Sequence, residues 1–126
     1  MYEKFATGLA EAKGPVSTAV KSKGLVFMAQ IPKDQNGDIV RGDIRVQTRQ
    51  MLRNLETTVK SAGGTLRDVA QIALFIVNRD DFDAMNEIYA EFFEAPYPAR
   101  STVVVKELIA PGMLIEMTAI VSLGPA

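Results

Sequence analysis

The run VAQIALFIV, residues 69–77, is nearly continuous apolar sequence with branched side chains, and its reading decides the fold. A run this short and this apolar suits a strand covered on both faces, or one lying between a helix layer and a subunit interface. It is expected to be the central strand. Downstream, residues 78–83 supply capping side chains. Phe82, Met85, Tyr89, Phe92 and Phe93 then mark an amphipathic helix that ends near Pro96. Upstream, Asp43 is a good N-cap for a helix over residues 44–62. Its Met51, Leu52, Leu55, Val59 and Ala62 fall at spacings of three and four, and Gly63-Gly64 supplies a left-handed end.

Further out, LVFMAQI (residues 25–31) reads as a buried strand, joined through Gly24 to a weakly alternating strand over residues 17–21. Pro32 stops it, and Asn36-Gly37 marks a turn in the polar stretch KDQNGDIVRGD. Two last runs, STVVVKEL (residues 101–108) and LIEMTAIVSL (residues 114–123), flank Pro111-Gly112 and read as a closing antiparallel pair. The order is ββαβαββ, with room for a further short strand in the first residues. Each helix has one apolar stripe, so both are expected on one face of a single sheet, an α+β architecture. The opposite face then needs cover. A chain of 126 residues, read as one domain over residues 1–126, has no third layer to provide it, so subunits are expected to do so by oligomerising.

Composition narrows the chemistry. The chain has no histidine and no cysteine, which excludes Ser-His-Asp and Cys-His catalysis, thiolate nucleophiles, disulfides and the usual zinc sites, so no metal is expected. Fourteen basic residues against fifteen acidic ones give a net charge of −1, without the basic footprint of a nucleic-acid binder. No stretch resembles a signal peptide, and no run approaches the roughly 20 apolar residues of a membrane span, so a soluble protein of the cytoplasm is expected.

Two charged residues stand out against apolar surroundings. Arg100 opens a strand in PYPARSTVVV (residues 96–105), after a segment stiffened by two prolines. Its planar fork of donors matches a carboxylate in two parallel bonds, although an arginine there also suits an interface or surface ion pair. Glu116 lies inside the apolar run LIEMTAIV. Partial burial would favour its protonated form and suit it to proton transfer, whereas the solvent face of an edge strand would leave it inert. Asn86, among the apolar members of the second helix, has an amide able to bond a ligand, cap a loop or face water.

Six segments in order, GPVSTAV (14–20), LVFMAQIP (25–32), DIRVQTRQMLRNLETTVKSAGG (43–64), MNEIYAEFF (85–93), PARSTVVV (98–105) and IEMTAIV (115–121), resemble the reactive intermediate deaminase family, the RidA or YjgF group. PARS and IExxAI are the sharpest parts. The resemblance implies a chorismate-mutase-like α+β fold: a mixed, mainly antiparallel sheet with two helices on one face, forming a homotrimer with small-molecule sites between subunits. It also implies hydrolysis of 2-enamine and 2-imine acids such as 2-aminoacrylate to the 2-oxo acid and ammonia, without metal or organic cofactor. By position, Arg100 matches the family's carboxylate-binding arginine, and Glu116 the glutamate that places or activates water. Asn86 matches a pocket asparagine, and Thr102 stands where the family often has cysteine.

This chain departs from the family pattern at two expected pocket positions. Val16 replaces the tyrosine of GPYSQAV, and Met28 with Ala29 replaces the first residues of SGQIP. The expected cavity is therefore more apolar, suited to a bulkier or less polar imino acid. The same departures fit an alternative, a trimer that binds small carboxylates in a regulatory role or serves a catabolic route such as aminomuconate deamination. A ribonuclease activity of the endoribonuclease L-PSP type finds little support in a chain with neither histidine nor a basic aromatic platform.

Overall fold

A computed structural model describes residues 1–124. Strands β1 (Glu3–Lys4), β2 (Ala19–Ser22) and β3 (Leu25–Gln30) form an antiparallel meander, with β1 the short strand anticipated in the first residues. The β2–β3 hairpin closes through Lys23 and Gly24, both at positive φ (51° and 80°), the pairing that matches the twist of the flanking strands. Helix α1 (Ile44–Ser61) starts where Asp43 accepts a hydrogen bond from the Val46 amide at 3.1 Å. It ends where Gly63, at φ 94°, lets the Gly64 amide reach back to the Val59 carbonyl at 3.0 Å.

Beyond α1, strand β4 (Val69–Ile76), helix α2 (Phe82–Phe92) and strand β5 (Ala99–Val104) form one crossover unit, with β4 and β5 parallel. Strand β6 (Ile115–Ser122) then inserts antiparallel between β3 and β4. The result is one six-stranded sheet of order β1-β2-β3-β6-β4-β5. The expected closing pair of β5 with β6 does not form. A strand that follows a helical crossover lies parallel to its predecessor, which carries β5 to the far edge. The vacant place beside β3 falls to β6, whose alternate side chains Ile115, Met117, Ala119 and Val121 are all buried. In β5 no residue is buried, as befits an edge.

Both helices lie on one face. Met51, Leu52, Leu55 and Val59 of α1 and Met85 of α2 are fully excluded from water, packed with Val26, Ile72, Leu74, Ile115 and Met117 of the sheet. Burial of this kind, at roughly 1.5–3 kcal/mol per large side chain, outweighs the exposed ion pairs Arg45–Glu87 and Arg49–Glu91 that link the helices. The other face carries Phe27, Ala73, Phe75, Val103 and Ile120 with no layer over it among the described residues, and Phe27 and Val103 are 40% and 45% exposed. Among the described residues no helix is long and apolar enough to cross a membrane.

The loops that frame β6 depend on one buried amide. The Gln47 side chain donates to the carbonyls of Val40 (3.2 Å) and Gly112 (2.8 Å), and its oxygen accepts from the Leu114 amide (2.7 Å). Gln47→Met keeps the volume and leaves three backbone groups unpaired, so stability is expected to fall by about 2–4 kcal/mol. The check is the denaturant midpoint, and a loss under about 0.5 kcal/mol would show that these bonds are dispensable.

Candidate functional site

Arg100 sits at the start of β5. In the parallel register it stands opposite Ile72 of β4, a core residue, and therefore points to the helix-covered face. There α2 receives it. The guanidinium carbon lies 4.6 Å from the centre of the Tyr89 ring and 5.9 Å from that of Phe82. Phe82 and Tyr89 are seven positions apart on α2, so one helix face offers two rings to the same cation. Tyr89 is itself stacked on Phe93, with ring centres 4.6 Å apart. Burial raises the Tyr89 hydroxyl's pKa, and the positive charge of Arg100 draws it part of the way back. Among the described residues Arg100 has no carboxylate within ion-pair distance. A charged fork beside two aromatic rings, with no carboxylate partner among the described residues, has its paired donors available for an external carboxylate.

Asn86 lies on the same side of α2, four residues after Phe82 and three before Tyr89, and is half-buried. Thr102 follows Arg100 by two positions along β5 and shares its face. It lines a cleft of about 440 Å³ with Arg79, Phe82 and Asp83. Arg100, Asn86 and Thr102 are thus gathered where β5 meets α2.

Glu116 is elsewhere. It stands opposite Phe75 of β4, three residues on from Ile72, and so points to the face without helices. Its strand is interior, between β3 and β4, not at an edge. Half-buried there, Glu116 has its pKa raised by burial, and no neighbouring charge shifts it further. It lines a cleft of about 400 Å³ with Val16, Ala29, Gln30 and Lys33. Val16, 62% exposed, stands on the wall of this cleft.

Met28 does not reach this cleft. It alternates with Val26 and Gln30 along β3 and so faces the helices, 6% exposed within the core. Ala29, pointing the other way, is the β3 residue that opens onto the cleft from the uncovered face.

Two cleft residues escaped the sequence reading. Gln30 is 1% exposed. Its amide nitrogen donates to Thr58 Oγ1 on α1 at 2.8 Å, while its buried oxygen, Oε1, has no partner among the described residues. Lys33, in a stretch read as a polar turn, is 6% exposed and donates through Nζ to the Ala10 carbonyl at 2.6 Å. The Lys33–Ile39 backbone bridge turns it inward, and the Asn54 amide fixes its carbonyl at 2.9 Å. A lysine directly after the strand-ending Pro32 was the one available signal.

The chain matches the family model described as Endoribonuclease L-PSP over residues 7–123. It is 44% identical over 109 residues to a RutC family protein of Pyrococcus horikoshii, covering 85% of this chain and 86% of that protein. It is 39% identical over 97 residues to a 2-iminobutanoate/2-iminopropanoate deaminase of Dermatophagoides farinae, covering 75% of this chain and 76% of that one. The crystal structure of YyfA, a conserved Rid family protein of unknown function from Yersinia pestis, superimposes with a TM-score of 0.90 at 34% identity, covering 97% of this chain and 99% of that chain.

Proposed function

The chain belongs to the RidA/YjgF family, whose sequence model bears the description endoribonuclease L-PSP, and from that premise we propose that it hydrolyses 2-imino acids, and the enamines in equilibrium with them, to 2-oxo acids and ammonia. The observation that carries the reading is the Arg100 guanidinium, placed over the Tyr89 and Phe82 rings with no carboxylate partner among the described residues. The deaminase named among the relatives acts on short 2-imino acids, which carry the carboxylate such an arginine receives.

In the proposed mechanism Arg100 binds the substrate carboxylate in two parallel bonds and Asn86 and Thr102 border the bound acid. Water adds to the C=N carbon, giving a tetrahedral aminoalcohol. With the imine protonated, Glu116 accepts a proton from the attacking water and passes it to the nitrogen of the aminoalcohol; the C–N bond breaks to release ammonia as the hydroxyl proton returns to Glu116 and the C–O bond becomes the carbonyl. Its raised pKa makes the carboxylate a stronger base for the first step and its acid available for the second. Neither step calls for a metal or an organic cofactor. Because Arg100 and Glu116 lie on opposite faces of the sheet, the proposed site is completed between neighbouring copies in a homotrimer, with the uncovered face as part of the contact.

The test is the fate of a 2-imino acid generated in situ from its amino acid by an amino-acid oxidase. Small imines hydrolyse unaided, so a tenfold or greater acceleration needs only about 1.4 kcal/mol per decade from the barrier. The protein is expected to speed formation of ammonia and 2-oxo acid in proportion to its concentration. Thermal stabilisation by 2-oxo acids with no acceleration would instead favour the carboxylate-binding alternative that Val16 suggests.

A further inference from the structure

The cleft beside Glu116 contains a buried cation for which the proposed hydrolysis has no use. Lys33 is 6% exposed and lines that cleft, and among the described residues no carboxylate lies within ion-pair distance of it. Its one partner is the neutral carbonyl of Ala10, at 2.6 Å, which occupies one of three ammonium donors. Burial lowers its pKa, and no neighbouring carboxylate acts to raise it. Glu116 does not compensate it, since Glu116 too is shifted by burial alone. The other charged groups of the cleft, Glu11 and Lys13, are exposed at its rim, and Glu11 is engaged by Lys4 at 3.5 Å.

Burying an ammonium without a counter-charge carries a desolvation cost. A lysine so placed weakens the fold unless something anionic meets it. Arg100 is already committed to the carboxylate next to the imine in the proposed reading. A second anion in this cleft must therefore come from the other end of the substrate. With Met28 withdrawn into the core, half the ground for a purely apolar cavity is gone.

We propose that Lys33 is a specificity-determining residue that binds a second acidic group, so that the preferred substrates are 2-imino acids with a carboxylate side chain. This rests on the imine-hydrolysis reading for the reaction, but the binding preference is measurable without turnover. The matched probes are 2-oxoglutarate and 2-oxopentanoate, which share a chain length and differ at the far end, carboxylate against methyl. The wild-type protein is expected to bind 2-oxoglutarate about tenfold or more tightly by calorimetry. Lys33→Met should abolish that preference while leaving 2-oxopentanoate affinity within about twofold, and Lys33→Arg should retain part of it. Imines generated in situ from glutamate and norvaline should follow the same order in kcat/KM.

Equal wild-type affinities for the two probes would overturn the proposal, and that comparison needs no variant to fold. Equal losses for both probes in Lys33→Met would also overturn it, leaving Lys33 as a tether for the segment around Ala10. A preference for 2-oxoglutarate without hydrolysis of either imine would uphold the subsite and sink the deaminase reading. Hydrolysis of both imines at equal efficiency, with equal binding, would do the reverse.

Discussion

Arg100→Ala is expected to lower kcat/KM for 2-imino acid hydrolysis by about 10²–10³-fold, the equivalent of about 2.7–4 kcal/mol of lost carboxylate binding. The reasoning begins at the aromatic seat. Tyr89 and Phe82 present ring faces to the guanidinium at 4.6 and 5.9 Å, so the fork is oriented before substrate arrives and little rotamer freedom is lost on binding. Arg100→Lys keeps the charge but has neither the flat face for stacking nor the paired donors, so it should recover only a minor part of the loss. The fold should hold in both variants, because Arg100 is half-buried at an edge strand and makes no ion pair among the described residues. Circular dichroism and the thermal midpoint check that. An effect below about threefold in a folded Arg100→Ala protein would remove Arg100 from the mechanism.

The parts of this molecule that could be read from its sequence are those set by local periodicity. Met51, Leu52, Leu55 and Val59 are spaced as one helical stripe, and all four are fully buried. Asp43 and Gly63 act as caps because their side chain and backbone chemistry work within a few residues. Pairing is different. The place of β6 between β3 and β4 depends on contacts between segments far apart in the chain, so the apparent hairpin partner of β5 was a neighbour in sequence only. Met28 was readable in principle: alternation along β3 places it with Val26, and a buried Val26 obliges a buried Met28. Its position in the family motif points instead to the pocket. Lys33 was not readable, because its burial is imposed by the bridge to Ile39 and the bond to Ala10. Arg100 and Glu116 were recognisable as singular residues. The face of Glu116 is legible in the alternation of β6, where Ile115, Met117, Ala119 and Val121 are buried on the other side, whereas the face of Arg100 follows from its register against β4, because β5 carries no buried alternation.

Those registers lead to the last prediction. On β4, Ile72 stands opposite Arg100 and Phe75 opposite Glu116, an odd separation, so the two side chains leave the sheet on opposite faces. The sheet itself lies between them within one chain. If both act on one substrate, the Arg100 of one copy must meet the Glu116 of another, and the defects of two single variants are then separable. Arg100→Ala and Glu116→Gln homo-oligomers are each expected to be nearly inactive. Unfolded together in equal amounts and refolded, they should regain activity. In a ring of three with one site per junction, an intact site needs an intact arginine on one side and an intact glutamate on the other. Random mixing satisfies both at about a quarter of junctions, so about a quarter of wild-type activity should return. A mixture no more active than its parents would place both residues in one chain's site or remove one from catalysis. Full wild-type activity from a monomeric species in sedimentation would overturn the shared site altogether.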